Sequence, residues 1–135
     1  MQKYIFILFV FSIALSCDLE DSKSYVWHTK EVTATAYNSL AYQTNQQPNI
    51  TAFGDTLTPG MKCIAVSRDL LKLGMKHNTL VTIEGLDGIF LVKDKMHYRW
   101  KNRIDIYMGN NVKEARNWGR KRLEIKYRLE VKDSI

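Results

Sequence analysis

Residues 103–108 read RIDIYM, and this short segment decides the fold class of the chain. Apolar and polar side chains alternate along it, which is the pattern of a strand with one buried face. The apolar face carries Ile104, Ile106 and Met108, and the opposite face carries Asp105. The segment therefore predicts a strand that presents a carboxyl group on its polar side.

Further strand patterns lie on both sides of this segment. Strand-forming residues occupy 32–37, 61–66, 79–84 and 89–93, and residues 123–129 alternate in the same way. Gly85-Leu86-Asp87-Gly88 separates the third and fourth of these runs, which predicts a hairpin. Six short strands in about a hundred residues predict a mainly β fold, a small six-stranded β-barrel.

One or two short helices are expected among the strands. Arg68–Leu71 predicts a helical turn. Asn111 can cap a second helix, with Glu114 three residues later as in a capping box, and Gly119 can end it. Residues 38–58 form a long polar stretch, and a loop of that length in a compact domain is usually functional.

The first sixteen residues have the pattern of a secretory signal peptide. Lys3 provides a positive start, and Tyr4–Ala14 is an apolar run too short to span a membrane as a helix. Cys17 follows Leu15-Ser16, and this arrangement resembles a bacterial lipoprotein box with Cys17 as the lipidated residue. The alternative is ordinary signal cleavage, with Cys17 a spectator or a disulfide partner of Cys63. We expect an exported, membrane-anchored lipoprotein of the bacterial envelope, in the outer membrane.

The chain thus divides into a signal peptide (1–16), a lipidated cysteine with a polar tether (17–30) and one folded domain (31–130). Its formal net charge of +6 suits an anionic polymer, either cell wall or nucleic acid. Export favours the wall, so we expect peptidoglycan strands as partner, membrane contact through the lipid, no nucleic acid and a monomeric protein.

Asp94 and Asp105 are the candidate chemical groups. Asp94 follows an apolar strand, and burial of either carboxyl group would raise its pKa, as a general acid requires. The alternative for Asp105 is a surface ion pair with Arg103 or Lys101. The histidines have no ligand spacing, so no metal and no cofactor are expected.

Short motifs occur along the chain in a characteristic order. In the first half they are TATAY at 33–37, TAFG at 51–54, IAV at 64–66 and LG at 73–74. In the second half they are VKDK at 92–95, NRIDIY at 102–107 and EARNWG at 114–119. Over residues 31–127 these motifs resemble the three-aspartate (3D) domain, which is shared with the membrane-bound lytic transglycosylase A family.

The resemblance implies a double-psi β-barrel that cleaves peptidoglycan. It makes Asp105 the catalytic aspartate and Asp94 its supporting neighbour. A lytic transglycosylase uses the muramic acid's own 6-hydroxyl as nucleophile and forms a 1,6-anhydro product. Because that nucleophile is already tethered, one carboxyl group can serve as acid and then as base, whereas ordinary glycoside hydrolysis needs two.

Five further residues are predicted to bind substrate. Thr35 and Tyr37 would donate hydrogen bonds to sugar hydroxyls, and Trp100 would stack on a sugar ring or else cover the barrel end. Ser67 stands where the family has its first aspartate, and Asp69 follows two residues later.

After Asp94 the chain has Lys95-Met96-His97 where the family has Thr-Gly-Gly. This departure, with Ser67, favours an alternative function: a non-catalytic peptidoglycan-binding module of the same fold. An envelope adaptor that binds another protein is a third possibility.

Overall fold

The computed structural model describes residues 23–40 and 49–132. In this part of the chain, strands make up most of the regular structure. In chain order the elements are β1 (Tyr25–Tyr37), β2 (Cys63–Val66), α1 (Arg68–Lys72), β3 (Leu80–Ile83), β4 (Phe90–Lys95), β5 (Arg103–Tyr107), α2 (Val112–Trp118) and β6 (Lys121–Glu130).

The six strands close into a barrel in the order β1-β5-β2-β4-β3-β6. β1 pairs with β5, and β2 with β4, in parallel, while the other neighbours are antiparallel. Closure gives each of the described strands a partner on both sides over part of its length. The predicted mainly β fold, a small six-stranded barrel with short helices, is confirmed.

Alternation along the strands fills the barrel with apolar side chains. Ile104 and Ile106 of β5 are buried, as the pattern at 103–108 predicts. They pack with Val66, Val92 and Ile125 in one core cluster. Because these side chains point inward, the residues between them point outward, and that is the face on which a binding site can form.

The turn and cap signals in the sequence have their expected effects. β3 and β4 pair antiparallel across the turn at 85–88. The Asn111 side chain accepts a hydrogen bond from the Glu114 amide at 3.0 Å and so caps α2. Gly119 follows the helix with a φ of 66°, a conformation that glycine adopts without strain.

β1 begins earlier than the sequence predicts. A polar tether is expected over residues 17–30, but residues 25–30 lie in β1 and pair with β6, from Tyr25 opposite Glu130 to Lys30 opposite Ile125. The barrel segment thus starts six residues before position 31, because the long β6 requires a partner for its backbone groups. Residues 1–22, including Cys17, are outside the described residues. Within the described part, no helix has the length and apolar character needed to cross a membrane.

Candidate active site

Ala65 of β2 lies between the two candidate aspartates. It pairs with Asp105 of β5 on one side and with Asp94 of β4 on the other. Directly paired residues point to the same face of a sheet, so both carboxyl groups point outward on the same side of the barrel. Their Cα atoms are about 10 Å apart on the usual strand spacing. Thr35 of β1 pairs with Asp105 and extends the row.

A β-bulge brings Asp94 to this face. Ile64 pairs with Val92, but the next residue, Ala65, pairs with Asp94, so Lys93 is passed over. Val92 is fully buried, and strict alternation would send Asp94 to the same side. The extra residue in β4 reverses the direction and turns Asp94 outward, toward the face that carries Asp105.

The row of paired residues opens into a groove with a volume of about 550 Å³. Asp94 and Asp105 line this groove together with Tyr37 and Trp100, so four of the residues predicted from the sequence share one site. Arg116, on α2, lines it as well. The two aspartates therefore line the same groove, as a shared catalytic role would require.

Asp105 is half-buried, and one of its carboxyl oxygens accepts a hydrogen bond from Thr35. Burial raises the pKa of its carboxyl group, while the hydrogen bond from Thr35 and the charge of Arg103 lower it and Asp94 raises it again. The net direction is upward, which favours the protonated form that a general acid needs.

A chain of donors fixes the orientation of Asp105. Arg103 Nε donates to Thr35 Oγ1 at 3.3 Å, and Thr35 Oγ1 donates to Asp105 Oδ1 at 2.9 Å. Because the guanidinium group can only donate, the Thr35 hydroxyl hydrogen is directed at Asp105. Among the ion pairs of the described residues none involves Asp105, so the surface pair with Arg103 or Lys101 does not form.

Asp94 is held by two backbone amides. Its Oδ1 accepts hydrogen bonds from Ala52 N and from Lys95 N, both at 2.8 Å. Burial raises the pKa of Asp94, and these two amides act in the opposite sense without reversing it. The Ala52 amide comes from the polar stretch at 38–58, which the sequence marks as functional by its length alone.

Asp55 fastens this loop to the barrel. Its carboxylate contacts His77 Nε2 at 2.5 Å and Lys93 Nζ at 3.2 Å. Lys93 Nζ also donates to Asn78 Oδ1 at 2.6 Å. Lys93, which the bulge leaves out of the pairing with β2, thus holds the loop that supplies the Ala52 amide. We call Asp55, His77, Lys93 and Asn78 the loop anchor.

Trp100 has cationic neighbours over its ring. The Cζ atom of Arg103 lies 4.0 Å from the ring centroid, and that of Arg99 lies 4.8 Å from it. These guanidinium groups occupy ring surface that a sugar would need for stacking. The packing therefore favours Trp100 as a wall of the groove, and its predicted stacking on sugar stays a prediction.

The remaining predicted residues divide into two groups. Tyr37 lines the groove, and its buried Oη has no hydrogen-bond partner within the described part of the chain. Ser67 and Asp69 do not line the groove. Ser67 is fully buried and its Oγ accepts from Arg103 N at 3.0 Å, while Asp69 Oδ2 accepts from Asn102 N at 2.8 Å. These contacts give both residues a structural role beside the site.

Sequence reasoning missed several residues that shape this site. Arg103 carried a usable signal, since it lies two positions before Asp105 on the same strand face. Ala52 lies in the motif at 51–54, but residue type does not show that its backbone amide would be the contacting group. Asp55 carried no signal beyond its place in a long loop.

No family model and no curated protein matches the chain. Among solved structures, the apo form of Clavibacter michiganensis expansin is similar at 20% identity with a TM-score of 0.47. A mutant of that expansin in complex with cellohexaose is similar at 16% identity with a TM-score of 0.45. Each comparison covers 80% of this chain and 52% of the expansin chain, so this chain spans about half the length of those proteins. At this level of similarity the likeness transfers no function to this chain.

Proposed function

We propose that this chain is an exported protein of the bacterial cell envelope that cleaves the glycan strands of peptidoglycan by lytic transglycosylase chemistry. The observation that carries the proposal is the half-buried carboxyl group of Asp105, whose pKa is raised by burial, facing a groove that also holds Asp94. The motifs at 92–95 and 102–107, which resemble the three-aspartate (3D) domain, support it.

In the proposed reaction Asp105 begins protonated and donates its proton to the oxygen that links N-acetylmuramic acid to N-acetylglucosamine. The bond from the muramic acid C1 to that oxygen breaks. The 6-hydroxyl oxygen of the same muramic acid bonds to C1, and its proton passes to the Asp105 carboxylate. Asp105 is thereby reprotonated, and the products are a 1,6-anhydro end and a free 4-hydroxyl end.

Each neighbour of Asp105 has a separate role in this scheme. Thr35 donates to Oδ1, so the proton that is transferred resides on Oδ2. Burial is the main cause of the raised pKa of Asp105, and the like charge of Asp94 adds to it. Tyr37 lines the groove and is proposed to contact the bound sugar.

The decisive experiment compares Asp105→Asn with Asp87→Asn in the full chain. Asp87 lies in the exposed turn at 85–88, so it controls for the same chemical change away from the groove. Each variant is incubated with purified sacculi, and anhydromuropeptides are quantified by mass spectrometry. We expect a loss of about a hundredfold or more for Asp105→Asn and none for Asp87→Asn. Release by Asp105→Asn at the native rate would exclude Asp105 as the acid.

A non-catalytic peptidoglycan-binding module is the second candidate function. Ser67 is buried in place of the family's first aspartate, and Met96 and His97, where the family has glycine, line the groove. Added bulk at this wall narrows the space for a sugar. Sacculus pull-down by the native chain without any anhydro product would favour this function over the enzyme.

The membrane anchor is part of the proposal. We propose Cys17 as the lipidated residue, which would hold the barrel close to the membrane. Labelling cells with radioactive palmitate tests this directly: we expect label on the native chain and none on Cys17→Ser. Equal labelling of both proteins would exclude Cys17.

A further inference from the structure

Exposed apolar side chains lie near the start of β1, at the opposite end of this strand from Tyr37 in the groove. Tyr25, Trp27, Leu73 and Val131 are between 40% and 47% exposed. Tyr25 and Trp27 begin β1, whose other end reaches the groove at Tyr37. Single exposed apolar residues are common on protein surfaces, but a cluster that includes two aromatic rings indicates a contact surface.

Cationic side chains lie beside Tyr25 and Leu73, and Arg128 pairs with Trp27 across β1 and β6. A second groove, of about 650 Å³, is lined by Tyr25, Leu73, Lys72, Lys76, Arg128 and Lys132. Glu130 is the one carboxylate among the described residues that line it, and Lys23 pairs with it at 3.5 Å.

The guanidinium Cζ of Arg128 lies 4.2 Å from the centroid of the Tyr25 ring, which joins the charged and apolar parts. We call the whole surface the amino-terminal patch. Its members are Tyr25, Trp27, Leu73, Val131, Lys72, Lys76, Arg128 and Lys132.

The amino-terminal patch lies close in sequence to the apolar segment at the start of the chain. Tyr25 is eight residues after Cys17, and the apolar run Tyr4–Ala14 precedes both. Eight residues span at most about 28 Å. Any attachment of this segment to a membrane would therefore hold the patch within reach of the bilayer surface.

We propose that the amino-terminal patch docks on the surface of a bilayer that contains anionic phospholipid. Tyr and Trp side chains partition to the interface between headgroups and acyl chains, and lysines beside them are attracted to anionic headgroups. Lysine stems can cover apolar surface while the ammonium group stays at the headgroup level. A hydrated anionic wall polymer would satisfy the cations but not the exposed apolar rings.

Docking in this manner sets the height of the groove above the membrane. Ten residues of β1 separate Tyr25 from Thr35, which pairs with Asp105, and they span about 33 Å along the strand. With the patch on the lipid, the groove would lie at about that distance along the strand from the bilayer surface. The barrel would thus act as a spacer of defined length.

Fluorescence of Trp27 tests the proposal in the full chain. The protein is reconstituted in vesicles with doxyl-labelled acyl chains, made either of phosphatidylcholine alone or of a mixture with phosphatidylglycerol. The Trp27 signal is the difference between the native chain and Trp27→Phe. We expect quenching in the anionic vesicles, its loss in high salt, and little quenching in phosphatidylcholine alone.

Two double variants that remove the same charge distinguish an effect of the patch on docking from an effect of the overall net charge. Lys72→Gln/Lys76→Gln should reduce the docked fraction about tenfold or more. Lys62→Gln/Lys113→Gln removes the same charge elsewhere and should leave docking unchanged. Quenching that is equal in both vesicles, or unaffected by the first variant, would overturn the proposal.

Two further readouts keep the result interpretable. Sacculus binding that depends on Lys72 and Lys76 without any quenching of Trp27 would assign the patch to a wall polymer, and the bilayer proposal would be wrong. Anhydromuropeptide release from isolated sacculi in detergent should be the same for both double variants. A failure of membrane docking is therefore distinguishable from a failure of the proposed cleavage.

Discussion

Two pairs of aspartates in the same barrel have opposite electrostatics. In the groove, burial raises the pKa of Asp94 and of Asp105. Outside it, desolvation pushes the pKa of Asp55 and of Asp69 upward as well, but donors outweigh it and both pKa values are lowered. Asp55 has His77 and the ammonium group of Lys93 beside it, and Asp69 has hydrogen bonds from Ser67 and the Asn102 amide. Donors alone therefore do not set the direction, since Asp94 also accepts two amides: in the groove desolvation exceeds the effect of the donors, and at the less buried Asp55 and Asp69 the donors exceed desolvation.

The strongest test of this contrast measures activity and stability together in Asp105→Asn. The folded protein holds the Asp105 proton more tightly than the unfolded chain, so stability falls as pH rises from the unfolded pKa through the folded one. At pH 7 we expect Asp105→Asn to abolish glycan cleavage and to raise the midpoint of thermal unfolding. A variant that loses both activity and stability would contradict the assignment of Asp105 as an acid whose buried carboxylate destabilises the fold.

The second test shifts the pKa of Asp105 in two directions. Thr35→Val removes the hydrogen bond that lowers this pKa, and Asp94→Asn removes the like charge that raises it. The alkaline limb of the rate profile should move to higher pH in the first variant and to lower pH in the second. Thr35→Ser keeps a hydroxyl group and should restore the native profile; carboxyl titration by carbon NMR reports the same shifts without turnover.

Asp55→Asn tests the loop anchor. The pKa of Asp55 is lower in the folded state, so its stabilising contribution is present above the unfolded pKa and is lost as pH falls through the folded pKa. The variant should be less stable than the native chain at pH 7, and the difference should vanish in acid. Urea unfolding at several pH values measures this; a pH-independent difference would exclude the ionic contribution.

The smallest expected effect belongs to Asp69→Asn. Its carboxylate accepts the Asn102 amide and does not line the groove, so we expect native cleavage and a loss of about 1 kcal/mol in the free energy of unfolding. The loss should shrink below the unfolded pKa of the carboxyl group. Reduced cleavage at unchanged stability would return Asp69 to the substrate-binding residues.

The strands and both helices were predictable because their signals are local, and the motifs at 92–95 and 102–107 singled out Asp94 and Asp105 without fixing how the two side chains are placed. Alternation at 103–108 requires a few neighbouring residues only, and the cap at Asn111 requires four. The amino-terminal extension of β1 was not predictable in this way, since residues 25–30 become a strand through their pairing with β6. Ser67 and Asp69 do not line the groove, because a motif position does not report the direction of a side chain, and their predicted substrate binding stays a prediction.

By itself the sequence determined a half-buried strand with a carboxyl group at position 105, and the barrel to which such strands belong. Only the tertiary structure decided that Asp94 shares its face. That outcome depends on the bulge that passes over Lys93, and a single-residue shift in register reverses every side chain beyond it. It also decided which groups surround Asp105, because Thr35 is seventy residues away along the chain and meets it across a parallel pair. Long-range pairing is settled by the packing of the whole barrel, which no local pattern contains.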